Sequence, residues 1–210
     1  MKTTRQARRS CDASSPLGES DALVAIPGCA GGGVPLPPTA TRASQLLITN
    51  RQRTKKINAR FLKQVVAELF VELEITEAEL GIMLVGAKEM ARVNWQFLQH
   101  EGSTDVITFD YGFGVPPSGG SSAKTNRRAN RLKPELQTLH GELFVCVDEA
   151  VTQAKEFGTS WQAEAVRYVV HGVLHLLGYD DLKPDLRRTM KREENRLVRL
   201  LAKRFSFAQL

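Results

Sequence analysis

The chain has 210 residues, 42% of them hydrophobic, and carries 29 basic against 23 acidic side chains for a formal net charge of +6. That length can bury one sizeable core, and the simplest organisation is a single domain with unfolded attachments. Nothing approaches the ~20 consecutive apolar residues of a membrane span, and the apolar patch at residues 22–26 is too short for an export signal. The three cysteines, Cys11, Cys29 and Cys146, lack metal-type spacing, so a reduced cytoplasmic protein is expected.

The basic surplus favours an anionic partner such as nucleic acid, and its location is informative. Residues 1–45 carry Lys2, Arg5, Arg8, Arg9 and Arg42 against Asp12, Glu19 and Asp21; residues 112–138 carry Lys124, Arg127, Arg128, Arg131 and Lys133 against Glu135. Together these segments hold the whole surplus and leave the presumptive core neutral. Residues 1–45 are rich in Ser, Gly, Pro and Thr and bury too little to offset their ordering entropy, so they are expected to form a disordered tail outside the fold.

The domain is expected over residues 46–207. Residues 46–49 read as a short strand. Asn58 then caps a helix in which Phe61, Leu62, Val65, Val66, Leu69, Phe70 and Leu73 recur at helical spacing. A strand at 80–85, a helix at 87–98 that buries Met90, Val93, Phe97 and Leu98, and a β-rich strand at 104–111 follow. Residues 112–138 break the pattern with clustered Gly, Pro and Ser and read as a flexible insertion. A fourth strand at 142–147 precedes helices at 148–157, 161–177 and 185 to about 205, the last behind Pro184. The expected class is α+β, a small mixed four-stranded sheet packed with helices.

The segment that carries chemistry runs from His171 through Gly172, Val173, Leu174 and His175 to Gly178, Tyr179, Asp180 and Asp181. Residues four apart on a helix differ by only ~40° about its axis, so both imidazoles project the same way, one turn apart, as a shared metal ion requires. At ~100° per residue, Ala165, Val166, Val169, Val170, Val173, Leu174 and Leu177 fill one contiguous arc. His171 and His175 fall opposite it, beside Glu164 and Arg167, which is unlike core histidines. Gly178 stops the helix, and a carboxylate just past that turn, from Asp180 or Asp181, can complete three ligands. Three protein ligands and an open position form the pattern of catalytic zinc.

The run His-Gly-x-Leu-His-Leu-x-Gly-Tyr-Asp, with residues 104–109 (Thr-Asp-Val-Ile-Thr-Phe) and Gly141-Glu142 before it, resembles the YbeY family of bacterial endoribonucleases and ribosomal RNA maturation factors, over roughly residues 46–203. The resemblance implies one α+β domain, a zinc ion on three side chains, and work on the 3′ end of small-subunit ribosomal RNA and in ribosome quality control. It places the first two ligands on His171 and His175. The third, usually a histidine ten residues after the first, falls on Asp181, whose harder oxygen admits manganese or magnesium as well as zinc. The family's Leu-Asn-x-x-Tyr-Arg element is matched loosely from Val93 and Asn94, and its arginine is Leu98 here; Arg92 or an arginine of the insertion is the candidate substitute.

Arg127, Arg128, Arg131 and Lys133 are candidate RNA contacts, with a solvated loop as the simpler reading. Thr104 and Asp105 match a family signature, while Asp105 also suits a strand-end brace. His100 and His140 read as surface or supporting residues. The basic last helix could meet the ribosome, and its stripe of Leu186, Met190, Leu197 and Leu201 reads as packing. Gly172 stands where HExxH metalloproteases carry their Glu, which favours RNA over a peptide or small amide as substrate. A ribosome-associated factor without catalysis is the other alternative.

Overall fold

The structure is a computed structural model that describes residues 6–7, 45–112 and 137–210. Five strands form one sheet: β1 (Gln6–Ala7), β2 (Gln45–Asn50), β3 (Ile75–Val85), β4 (Val106–Asp110) and β5 (Gln137–Cys146), in the spatial order β1-β4-β5-β3-β2. The pairs β2–β3, β3–β5 and β1–β4 are parallel and β4–β5 is antiparallel. The four long strands are the mixed sheet that the sequence predicts. Two residues expected in the disordered tail, Gln6 and Ala7, add a fifth by pairing with Thr108 and Phe109. An edge strand offers backbone donors and acceptors that any sequence can use, so side-chain hydropathy gave no sign of this pairing.

Two strands are longer than their apolar runs. β3 begins at Ile75 and β5 at Gln137, and their extra residues pair with each other, Glu77 with Thr138 and Glu79 with His140. A strand with one face toward solvent alternates in polarity, and its polar half carries no apolar run to mark it in the sequence. Residues 113–136, with Arg127, Arg128, Arg131 and Lys133, lie outside the described residues.

Helices α1 (Ala59–Glu72), α2 (Ala87–Leu98), α3 (Val147–Phe157), α4 (Trp161–Leu176) and α5 (Pro184–Arg204) cover this sheet. Alternate residues of the strands divide the core into two clusters. Leu80, Ile82, Leu84, Val106, Leu143 and Val145 pack with α1, α4 and α5. Val85, Ile107, Phe109 and Cys146 pack with Met90 and Val93 of α2 on the other face, where Leu98 is half-buried. Leu98 therefore serves the α2 face of the sheet, opposite α4.

Helix α4 lies against β4 and β5 at close range. A Cβ on Gly172 would stand 2.7 Å from Leu143 Cδ2, and one on Gly141 would stand 2.5 Å from the Phe109 carbonyl oxygen and 2.9 Å from Leu176 Cδ2. These two glycines let the helix backbone and the sheet approach. Ser160 starts the helix, its Oγ accepting from Ala163 N at 3.2 Å, and so supplies a partner to an amide otherwise left without one. Val166, Val169, Val170, Val173 and Leu174 are buried beneath it, at roughly 1.5–3 kcal/mol gross per side chain. The face opposite the sheet is covered too, because α5 crosses it. That corrects one expectation, that these histidines are unlike core residues: α4 is buried nearly all round, His175 included, because its polar stripe faces a neighbouring helix.

Candidate metal centre

Past Leu176 the chain reverses through a tight turn. Gly178 adopts φ +85°, its N–H donates to His175 O at 2.9 Å, and Tyr179 N donates to Leu174 O at 3.0 Å. These are the two bonds of a Schellman motif, and a residue without Cβ takes the left-handed position cheaply. The turn brings the Tyr179 carbonyl back to His175 Nδ1, 3.0 Å away. It also decides between the two acids. Asp180 turns outward and accepts from Leu182 N at 3.0 Å, whereas Asp181 comes round to the imidazoles, and Arg187 Nε holds its carbonyl at 2.9 Å.

The ligand atoms of His171, His175 and Asp181 lie within 4.8 Å of one another, the one such group among the described residues. His175 is 4% exposed and Asp181 8%. The two Nε2 atoms face each other at 3.2 Å. Their protonation follows from the partners on the far side of each ring: His171 Nδ1 lies 2.9 Å from Glu194 Oε2, and His175 Nδ1 meets a carbonyl. A carboxylate and a carbonyl only accept, so each Nδ1 carries the hydrogen and each Nε2 presents a lone pair. Two lone pairs at that separation, beside an Asp181 Oδ1 that is buried without any hydrogen-bond partner, make a cradle that a cation satisfies. The donor set of two imidazole nitrogens and a carboxylate oxygen suits zinc.

Glu194 is 1% exposed and binds three groups at once. Besides His171, it accepts from Arg167 Nη1 at 2.7 Å and Lys191 Nζ at 2.9 Å. Burial alone would raise its pKa, but the hydrogen bonds from His171, Arg167 and Lys191 prevail and hold it at about 2. It is ionised and an obligate acceptor. A histidine ligand oriented by a carboxylate through its other nitrogen is the usual outer arrangement of a metal site. Burial, and then the neighbouring His171, push the His175 pKa below its ordinary value and favour the neutral form that ligates metal. Arg167 also donates to Asn195 Oδ1 at 2.9 Å and pairs with Glu164 at 3.5 Å.

The structure thus brings together His171, His175 and Asp181, and adds Glu194 and the Tyr179 carbonyl, which sequence reasoning missed. Glu194 left one trace in the sequence: it falls four residues after Met190 and three before Leu197, a charged residue on the apolar stripe of α5. Of the other residues singled out, His100 is exposed. His140 pairs with Glu79 at 3.4 Å and stands edge-on to Tyr111. Arg92 is exposed and lies 3.8 Å from Glu89 on α2. The Asp105 carboxylate braces the start of β4, accepting from Val106 N and Thr104 Oγ1 at 2.9 Å each. Gly172 faces Leu143 and Val106, so its position points into the core and away from the imidazoles.

An α+β domain whose buried helix carries two imidazoles, with a returning carboxylate, has a side-chain group that could hold one metal ion. Comparison with known proteins makes this specific. Residues 47–202 match the family model for the endoribonuclease YbeY, and the chain belongs to that family. It is 33% identical over 154 residues to the Endoribonuclease YbeY of Salinibacter ruber, covering 73% of this chain and 89% of that one. It is 32% identical to that of Chlorobium luteolum, covering 75% and 98%. A solution structure of TM1509 from Thermotoga maritima aligns over 75% of this chain and 89% of its own, with 21% identity and a TM-score of 0.47.

Proposed function

We propose that this protein is a zinc-dependent, single-strand-specific endoribonuclease that works in the cytoplasm on ribosomal RNA of the small subunit, maturing its 3′ end and acting in ribosome quality control. The observation that carries the reading is the convergence of His171, His175 and the unpartnered Asp181 oxygen in a chain whose family relatives are named endoribonucleases. Zinc bound there would act as a Lewis acid toward a phosphodiester and lower the pKa of water to ~7. The chain's own residues prepare that site. Glu194 and the Tyr179 carbonyl fix the two rings and their tautomers, and the shell of α5 excludes bulk water from the imidazole stripe. Asp181 in place of histidine leaves manganese or magnesium as alternative ions. Arg167, one helical turn before His171 and bound to its Glu194, is a cation close to the centre, where Leu98 offers none.

A peptide-hydrolysing site is disfavoured because position 172 points at Leu143 and Val106 in the core and away from the imidazoles, so a Glu there could not reach the centre. A ribosome-binding role without catalysis is the second reading, and it rests on Leu98. Elemental analysis of the purified protein is expected to find one zinc per chain. Metal should be lost in the His171→Ala, His175→Ala double variant, and affinity in Asp181→Ala should fall by at least the ~10–100-fold typical of losing an outer partner. Zinc-loaded protein should cut single-stranded RNA and leave casein intact. Unchanged metal content in the double variant refutes the centre, casein cleavage without RNA cleavage moves the substrate to protein, and a His171→Ala variant that restores ribosomal RNA processing in cells establishes the binding role.

A further inference from the structure

Arg167 and Lys191, besides binding Glu194, line a cavity of about 440 Å³ among α3, α4, α5 and the start of β4. That volume lies within the ~300–1,000 Å³ of small-molecule sites. Tyr168, which also lines it, is 2% exposed, and its hydroxyl is buried with no hydrogen-bond partner. A buried donor left unmatched is costly to a folded chain and points to a ligand that meets it.

The lining chooses the ligand. Its two cations are already engaged, Arg167 by Glu164 and Glu194 and Lys191 by Glu194. Asp105, Glu149 and Glu164 add three carboxylates, so a phosphate is repelled; each already accepts from a neighbour, Asp105 from Thr104 and Val106, Glu149 from Ser103 and Glu164 from Thr159, and each keeps further lone pairs. What carboxylates accept from is N–H, and what Phe157 offers, 56% exposed at the last residue of α3, is an aromatic ring on the cavity lining. N–H edges on a flat aromatic body describe a nucleobase, and unstacked bases of single-stranded RNA are read by aromatic stacking and edge hydrogen bonds.

We propose that this cavity receives one base of the RNA strand, flanking the scissile phosphodiester, with Phe157 as the stacking wall and the Tyr168 hydroxyl donating to the base edge. The inference rests on the ribonuclease reading above. Tyr168 precedes His171 by three residues, ~4.5 Å along the helix axis, so a base held here puts an adjoining phosphate at the imidazoles. Carboxylate acceptors favour bases with an exocyclic amino group, so adenine and cytosine are preferred over uracil.

The test uses the full chain treated with EDTA, so that strands are bound and not cut, and labelled oligo(A), oligo(C) and oligo(U) read by fluorescence anisotropy. Oligo(A) and oligo(C) are expected to bind about tenfold tighter than oligo(U), and Phe157→Ala to lose about tenfold on both. Tyr168→Phe should weaken binding of all three strands, since every base carries an acceptor for the hydroxyl, while its melting temperature stays near that of the wild type. Cytidine should compete for oligo(C) and inorganic phosphate should not. Equal binding of the three strands, an unchanged Phe157→Ala variant, or competition by phosphate alone overturns the base site. Where those results accompany RNA cleavage by zinc-loaded protein, the nuclease reading stands without it; binding and cleavage of no RNA at all overturns both.

Discussion

Replacing Glu194 with Gln keeps the size of the side chain and an oxygen acceptor for His171 Nδ1, removes the charge, and puts an NH2 donor where Arg167 and Lys191 had an acceptor. The structure sets the cost. Glu194 is held at about 2 against an ordinary 4.5, and at ~1.4 kcal/mol per decade of proton affinity that gap is worth about 3 kcal/mol. The amide also leaves Arg167 and Lys191 without their shared partner, and breaking a buried ion pair from one side costs roughly 3–5 kcal/mol. The two routes agree on a loss of about 3 kcal/mol. Urea denaturation of metal-free protein at pH 7 should show it as a lower midpoint with an unchanged slope. Zinc competition against a chromogenic chelator should show a ~10–100-fold weaker site, because His171 is less firmly held and less basic. Glu194→Gln within about 0.5 kcal/mol and twofold in zinc affinity of the wild type would refute the claim that this carboxylate organises the centre.

Two further outcomes follow from the packing and the titrations. Gly172→Glu, which would rebuild the metalloprotease pattern, drives Cβ to 2.7 Å from Leu143 Cδ2. Overpacking costs ~1–3 kcal/mol before any buried charge is counted, so the variant should melt well below the wild type and gain no activity on casein; a wild-type melting temperature would contradict the helix–sheet contact. Acidification should destabilise the metal-free protein in two stages. His175 has its pKa lowered in the fold, so its contribution is present above the ordinary 6.5 and is lost as pH falls toward the lower folded value. The Glu194 contribution is present above 4.5 and is lost as pH falls from there through about 2. Urea midpoints that stay level from pH 7 to pH 4.5 would count against the His175 assignment, and midpoints that stay level from pH 4.5 to pH 2 against that of Glu194.

The sequence by itself determined the five helices and the apolar runs of four strands; helical spacing named two of the three candidate ligands, and the family resemblance added Asp181. Apolar residues at period 3.6 mark a helix whatever it packs on, and the N-cap at Asn58, whose Oδ1 accepts from Phe61 N at 3.1 Å, is a local interaction between residues three apart. The pairing of His171 with His175 is equally local, since the helix alone sets their common direction. Tertiary structure decided what depends on residues distant in sequence. Asp181, rather than Asp180, reaches the rings because the turn after Gly178 and the hold of Arg187 on its carbonyl aim one carboxylate and not the other. Glu194 stands 23 residues from His171, and only the crossing of α5 over α4 brings them within a hydrogen bond. The polar ends of β3 and β5 and the pairing of Gln6–Ala7 are held by backbone hydrogen bonds, which carry no side-chain signature. Periodicity encodes the face a residue occupies on its own element, whereas the neighbour that covers that face is chosen by the packing of the whole chain.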